Sequence, residues 1–349
     1  MSWNMKNVTI KDIANIAGVS ETTVSLSFQP DSRISQATRE RVLKIADDLR
    51  YVRNSVAQNL RGGRTKTIGF IVNDINNYIY HIMSRVAAQI GSQYGFQVLY
   101  AETDWDPAKT IEATKTMLAK QVEGLMLSLS EKEEVSLDLI RHAKIPYVVI
   151  DTIPHSYKGS YVVNDGVKTG KIAGNHFAEL GCQRVAFFNA SKEMATFSAF
   201  TQQLEGLKSS LNSFGIAFDD NDVYYAGLSV EEGSRTFSNL LSQGRGPYDA
   251  ILCVNDYVAY GVMQSAEKNG IKVGSDLALI GIDNLEFSVL DRISLSSIAI
   301  DYHKMTTLAV SKLIGSIEAP NGKLIQKTLA PKLIARDSTK SFKGGKLLN

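Results

Sequence analysis

From Thr67 onward, short apolar β-rich runs alternate with amphipathic helical stretches, and the alternation runs through twice. The first series reads TIGFIV, a helix near 79–94, FQVLYA, a helix near 107–120, VEGLMLSL, a helix near 135–142, and YVVID. The second reads SYVVN, a helix over 166–180, RVAFFN, a helix over 196–214, DVYYA, a helix over 230–243, DAILCV, a helix over 256–269, and LALIGI. Continuous apolar strands set between helices are covered on both faces, as in parallel sheets. Two such series predict two doubly wound lobes with a cleft between them. A later helix over 302–317 and the segment KLIQKTLAPKLIARD let the chain cross back between lobes. The class is α/β. The expected body is 67–340, with an N-lobe of about 67–178 and 300–320 and a C-lobe of about 179–299 and 321–340.

The first 66 residues follow another rule. Thr9 can cap a helix that places Ile10, Ile13, Ala14, Ile16 and Ala17 at helical spacing, and Gly18 can end it in a left-handed conformation. Ser20 caps a second helix with Val24 and Phe28 inward and Glu21, Thr22, Ser25 and Leu26 outward. After the turn-rich QPDSRIS, Ser35 caps a third helix over 36–49, packed through Val42, Leu43, Ile45, Ala46 and Leu49. Residues 54–60 could add two helical turns before Gly62 and Gly63, but so short a helix does not hold alone in water and needs a partner to order it. The organisation is therefore an all-α head over 1–53, a hinge helix and linker over 54–66, and the body.

Charge separates the same parts. Residues 1–66 carry 11 Lys+Arg and 6 Asp+Glu, a net +5, whereas the remainder is net −3. That asymmetry suggests an anionic partner for the head alone. A helix, a glycine turn and a second helix led by Ser, Glu and Thr form a helix-turn-helix, whose second helix fits the major groove of DNA. The same pattern is open to an ordinary small helical subdomain.

Other classes find less support. No run approaches the ~18 apolar residues of a membrane span, and MSWNMKNVTI has no apolar signal core, so a cytoplasmic protein is expected. Cys182 and Cys253 sit in apolar runs and read as buried thiols. No CxxC or HxxxH pair suggests zinc, and no metal or cofactor is expected. No GxGxxG follows a strand and no GxxxxGK[ST] occurs, so the chain is not expected to be an enzyme.

The stretches TIKDIANIAGVSETTVSLSF and RISQATRERVLKIADDLRYVRNSVAQNLRGG resemble the DNA-binding head of the LacI/GalR family of bacterial repressors, and the resemblance continues through the body to about residue 336. Within that family Thr23–Phe28 most resembles maltose-regulon members. The resemblance implies a head on a periplasmic-binding-protein-like body, which acts as a homodimer on a pseudo-palindromic double-stranded operator and answers to a small effector in the cleft. It implies that Glu21, Thr22 and Leu26 face base edges. Thr9, Ser20, Thr23, Ser25, Arg33, Ser35 and Asn54 match phosphate-holding positions. Asn54, Ala57 and Leu60 belong to a hinge helix that orders on DNA, with Leu60 wedged into the minor groove.

For the cleft, the resemblance implies Ser128, Asp165, Gln203, Asn255 and Asp283 as effector residues, with Tyr80 stacking on a ring or covering the cleft. Asp165 and Asp256, each beginning a helix, also read as helix caps. Three positions depart from the family pattern: Leu26 where many members carry Arg, Gln29 where Asn is usual, and Gln203 where an Arg commonly clamps the ligand. Leu26 can touch only apolar edges such as a thymine methyl, and Glu21 can accept from a cytosine amino group. Without the Arg, the acidic pocket disfavours an anion and suits a neutral sugar or polyol, or a cation. The neutral ligand is the leading expectation. The C-terminal RDSTKSFKGGKLLN has no heptads, so no tetramerising coiled coil is expected. The leading function is a repressor of sugar or related catabolic genes. The alternative is a sugar-binding receptor without a regulatory role, which the basic head disfavours.

Overall fold

The computed structural model of the chain describes residues 8–29, 32–52, 64–129, 134–154, 157–244, 248–320, 322–340 and 342. The chain forms two compact units, Met1–Thr65 and Lys66–Asn349.

The first unit holds helices α1 (Ile10–Ala17), α2 (Glu21–Ser27) and α3 (Gln36–Asp48). Each begins on a hydroxyl cap. The Thr9 hydroxyl accepts from the Asp12 N–H at 3.3 Å while the Asp12 carboxylate accepts from the Thr9 N–H at 2.8 Å, a reciprocal capping box. Ser20 accepts from the Thr23 N–H at 3.1 Å and Ser35 from the Thr38 N–H at 3.3 Å. Gly18 ends α1 at φ 65°, where a Cβ would be strained.

The core of this unit is Ile13, Ala14, Ala17, Val24, Val42 and Ala46, with the Phe28 and Tyr51 rings 6.0 Å apart beside it. Ile16 and Leu43, expected to pack, are instead 59% and 38% exposed. Three short helices share one small interior, and their neighbours Ala17 and Val42 already fill it. Ser27 is buried in their stead, its hydroxyl donating to the Thr23 carbonyl at 2.8 Å. With so few large side chains inside, at about 1.5–3 kcal/mol each, the head is a marginal unit. The helix expected over 54–60, with Asn54, Ala57 and Leu60, lies outside the described residues.

The second unit holds two six-stranded sheets. The N-lobe sheet runs β11-β5-β4-β3-β1-β2, built from β1 (Thr67–Val72), β2 (Gln97–Glu102), β3 (Gly124–Leu127), β4 (Tyr147–Asp151), β5 (Tyr161–Asn164) and β11 (Gln326–Leu329), every pair parallel. Successive residues of β1 enter different cores. Phe70 packs with Tyr80, Met83 and Leu313 from α4 (Tyr78–Gln93) and α11 (Tyr302–Glu318). Ile71 packs with Met117 and Ile140 from α5 (Pro107–Ala119) and α6 (Glu134–Ala143). β2 departs from the expected buried run: it is the sheet's edge and leaves Leu99 and Tyr100 exposed.

The C-lobe sheet runs β12-β10-β9-β8-β6-β7, from β6 (Val185–Asn189), β7 (Val223–Tyr225), β8 (Ala250–Cys253), β9 (Ala278–Asp283), β10 (Ser296–Ala299) and β12 (Lys332–Ile334). β12 pairs antiparallel with β10, and the other described pairs are parallel. Helices α7 (Gly166–Glu179), α8 (Ser198–Ser213), α9 (Val230–Ser242) and α10 (Asp256–Lys268) cover it, and α12 (Asp337–Lys340) packs against β9 and β10. Cys182 and Cys253 are buried thiols in this lobe's core.

The chain crosses between lobes after β5, after β10 and after β11. Two expected lobe boundaries are thereby corrected. α7 belongs to the C-lobe, because its Ala173 and Phe177 enter that core and its glycines meet α8. β11 belongs to the N-lobe, pairing Lys327 with Val162 and Thr328 with Val163. Its mostly exposed QKTL carries no apolar signal.

Candidate functional site

In the head, α2 turns Val24 and Ser27 inward. Glu21 and Thr22 are exposed, and Thr23, Ser25 and Leu26 are half-buried along its outer side. Thr9, Ser20 and Ser35 are exposed helix caps, so their side-chain oxygens already serve backbone N–H groups. Arg33 is exposed in the loop before α3. The outer side of α2 is thus polar with one apolar member, Leu26.

The body's cleft is a cavity of about 260 Å³ at the C-terminal ends of the strands, where open parallel sheets bind ligands. β4 delivers Asp151, β5 delivers Asn164 and then Asp165, β8 leads into Asn255, and β9 delivers Asp283. α8 supplies Phe200 and Gln203, and α11 supplies Tyr302. Trp105 reaches the same cavity from the loop after β2, stacked on Phe197 with centroids 5.3 Å apart. Beside it the Thr152 and Ser198 hydroxyls bond across the lobes at 2.8 Å.

Four of the six expected effector residues line the cavity: Asp165, Gln203, Asn255 and Asp283. Two of these have fold-holding roles as well. Asp165 caps α7, accepting from the Lys168 N–H at 2.8 Å. Asn255 caps α10, accepting from the Val258 N–H at 2.8 Å while donating to the Leu228 carbonyl at 3.0 Å. Asp256, also read as a cap, is fully buried and accepts from Leu285 N–H, Ser288 and Ser297.

Tyr80 and Ser128 are corrected. Both are buried behind the wall, Tyr80 completely, so Tyr80 neither stacks on a ligand ring nor covers the cleft. The Tyr80 hydroxyl donates to Asp151 at 3.1 Å, and Asn73 donates to both Tyr80 and Ser128 at 3.1 Å. They brace the residue that does line the cavity. Asp151 itself was missed, although it ends an apolar strand as Asp283 does. No sequence signal marks Trp105 or Tyr302.

The electrostatics are one-sided. Burial pushes the Asp283 carboxyl up to about 8, helped by repulsion from Asp256 and Asp151 and opposed by the hydrogen bond that the Tyr302 hydroxyl donates at 2.6 Å. Burial raises Asp151 to about 6 against the Tyr80 hydrogen bond, and raises Asp256 to about 6 against its three donors. Asp151 and Asp283 also hold φ of 72° and 102°, and Asn284 follows at 54°. Such backbone costs about 1–3 kcal/mol per residue and collects at binding sites. Among the described residues no cluster of His, Cys, Asp and Glu could hold a metal, and no helix is long and apolar enough to cross a membrane.

Residues 9–54 match the family model described as bacterial regulatory proteins, lacI family, and residues 175–339 match a periplasmic binding protein-like domain. Catabolite control protein A of Staphylococcus epidermidis is 31% identical over 291 residues, 83% of this chain and 87% of that protein. The chain belongs to the LacI family. The PurR repressor of Photobacterium profundum is 26% identical over 335 residues, 96% of this chain and 99% of its own. A solved lac repressor dimer bound to operator and the anti-inducer ONPF shares the fold, with a TM-score of 0.85 at 23% identity over 96% of this chain and 99% of that one. As a LacI-family protein this chain is a DNA-binding transcriptional regulator with a ligand-binding body, which sets aside the receptor reading. These relatives are regulators, not enzymes.

Proposed function

We propose that the protein is a cytoplasmic, non-catalytic repressor of sugar or related catabolic genes, which binds a pseudo-palindromic operator as a homodimer and is controlled by a small ligand in the body's cleft. The observation that carries this reading is the union in one chain of a capped helix-turn-helix with a cleft whose walls hold unpaired polar atoms: Trp105 Nε1, Gln203 Oε1 and Asn164 Oδ1. Buried polar atoms left without partners are costly unless a ligand or water satisfies them. Glu21, Thr22 and Leu26 read base edges. Thr9, Ser20, Thr23, Ser25, Arg33, Ser35 and Asn54 position the phosphate backbone. Asn54, Ala57 and Leu60 order on the operator centre. Asp165, Gln203, Asn255 and Asp283, with Asp151, hold a polyhydroxylated ligand of sugar size rather than an anion, since carboxylates and amides accept from hydroxyls in pairs.

The control is allosteric if ligand affinity differs between the DNA-bound and free protein, and by linkage the ligand then alters operator affinity by the same factor. Selection of bound duplexes from a random pool, at near-physiological salt, tests the reading. An enriched pseudo-palindrome is the expected result. A folded protein that enriches nothing, with or without candidate ligands, counts against it.

A further inference from the structure

The cleft's charge and its unpaired atoms narrow the chemistry of its ligand. Three carboxylates, Asp151, Asp165 and Asp283, line the cavity, and no lysine, arginine or histidine does so among the described residues. The nearby guanidinium of Arg336 is already held by the Leu295 carbonyl and, at 2.6 Å, by Asn284. Gln203, 6% exposed, lines the same cavity with a buried Oε1 that has no partner.

The Asn164 amide has a determined orientation. The Thr169 hydroxyl gives its proton to the Asp165 carbonyl at 2.9 Å, so it accepts from Asn164 Nδ2 at 3.0 Å. Asn164 Oδ1 is then left unpaired, as an acceptor. The wall is rich in acceptors, with donors in the Trp105 indole and in the Gln202 and Gln203 amides. An anion would meet three carboxylates. A neutral polyol would satisfy the acceptors but bring no counter-charge, so Asp283 would stay protonated in this partly desolvated site. A cation supplies both donors and charge.

We propose that the ligand of this cleft carries a protonated amine beside its hydroxyls, with the ammonium against Asp283 and Asp151 and the hydroxyls donating to Asn164 and Asp165. The inference rests on the cleft being the effector site. Binding then favours the ionised form of Asp283, which otherwise faces Asp151, Asp256 and the Tyr302 hydroxyl with its carboxyl pushed up to about 8. Ligand uptake accordingly releases protons at neutral pH.

The test is calorimetric titration of the full chain with matched sets: glucosamine, N-acetylglucosamine and glucose, then 1-amino-1-deoxysorbitol and sorbitol, alongside anionic sugar phosphates. The expected result is an amine that binds at least about tenfold tighter than its neutral twin, with a heat that changes with the buffer's ionisation enthalpy in the sense of proton release. Asp283→Asn and Asp151→Asn should each erase that preference. The matched sets on the unaltered chain decide the matter even if a variant fails to fold. Equal or tighter binding of the neutral twins, or of the phosphates, overturns the cationic ligand while leaving the cleft as an effector site. Failure of every compound to bind overturns both.

Discussion

At the scale of single residues, the head and the cleft use side chains in opposite ways. In the head, the hydroxyls of Thr9, Ser20 and Ser35 are tied into helix caps, so they present a fixed polar surface. Arg33→Ala should weaken specific and non-specific duplexes by the same factor and lower the salt slope by about one, because a phosphate contact carries no sequence information. Leu60→Ala should weaken the specific site by about tenfold or more and leave random DNA almost unaffected, because only a kinked operator rewards a wedge. Filter binding against both duplexes at several salt concentrations separates the two results. Equal losses for Leu60→Ala would remove it from the operator centre. In the cleft, by contrast, Asp151 and Asp283 are held in left-handed backbone, accept from the Tyr80 and Tyr302 hydroxyls, and have their carboxyls raised by burial, so that a ligand's charge can ionise them.

At the scale of elements, the contact between α7 and α8 decides where Gln203 sits. A Cβ on Gly170 would lie 2.0 Å from the Gln203 carbonyl oxygen, and one on Gly206 would lie 2.0 Å from that of Val167. The two helices touch backbone to backbone, which only glycine permits. Gly170→Ala should cost about 1–3 kcal/mol of stability through overpacking. It should also weaken cleft ligands, because the turn that must move carries Gln203. Thermal unfolding and calorimetric titration of one preparation test both effects, and a loss of stability with unchanged affinity would uncouple the helix contact from the site. In the head, Ser20→Ala removes the cap of α2 and should cost about 1 kcal/mol. That is a large fraction of so small a core, and it should appear as weaker DNA binding with unchanged ligand binding by the body.

At the scale of the whole molecule, three crossings link the lobes, and the cavity between them gathers carboxylates from β4, β5 and β9. Asp283 keeps its proton to about 8 when folded, against about 4 in an unfolded chain. The folded state therefore binds the extra proton between those values. Stability from this group is present at low pH and is lost as pH rises from about 4 to about 8, and Asp151 and Asp256 each add a smaller loss up to about 6. The Tm of the ligand-free chain should fall between about pH 6 and about pH 8. Asp283→Asn should flatten that fall, and an unchanged slope would show that the carboxyl is not raised.

Much of this was legible from local pattern. Hydroxyl caps, a glycine stop and helical spacing mark α1, α2 and α3 because they depend on neighbours within four residues. Apolar runs mark β1, β3, β6 and β8 because both faces of a central parallel strand are covered. Asp165 and Asp283 came from the resemblance to the family, and their places at strand C-termini put both on the cavity. What failed depended on partners distant in the chain. The exposed QKTL becomes a strand only by pairing with β5, and α7 joins the C-lobe only because its glycines fit α8. Tyr80 and Ser128 retreat behind the cavity because Asn73 and Asp151 hold them there, and Trp105 enters because Phe197 offers a face across the lobes. Local pattern was enough for most of the elements, for the two-part organisation and for the family resemblance. Which side chains face the ligand, and with what charge, was decided only by tertiary structure, since desolvation and hydrogen bonding between lobes exist only once the sheets have packed.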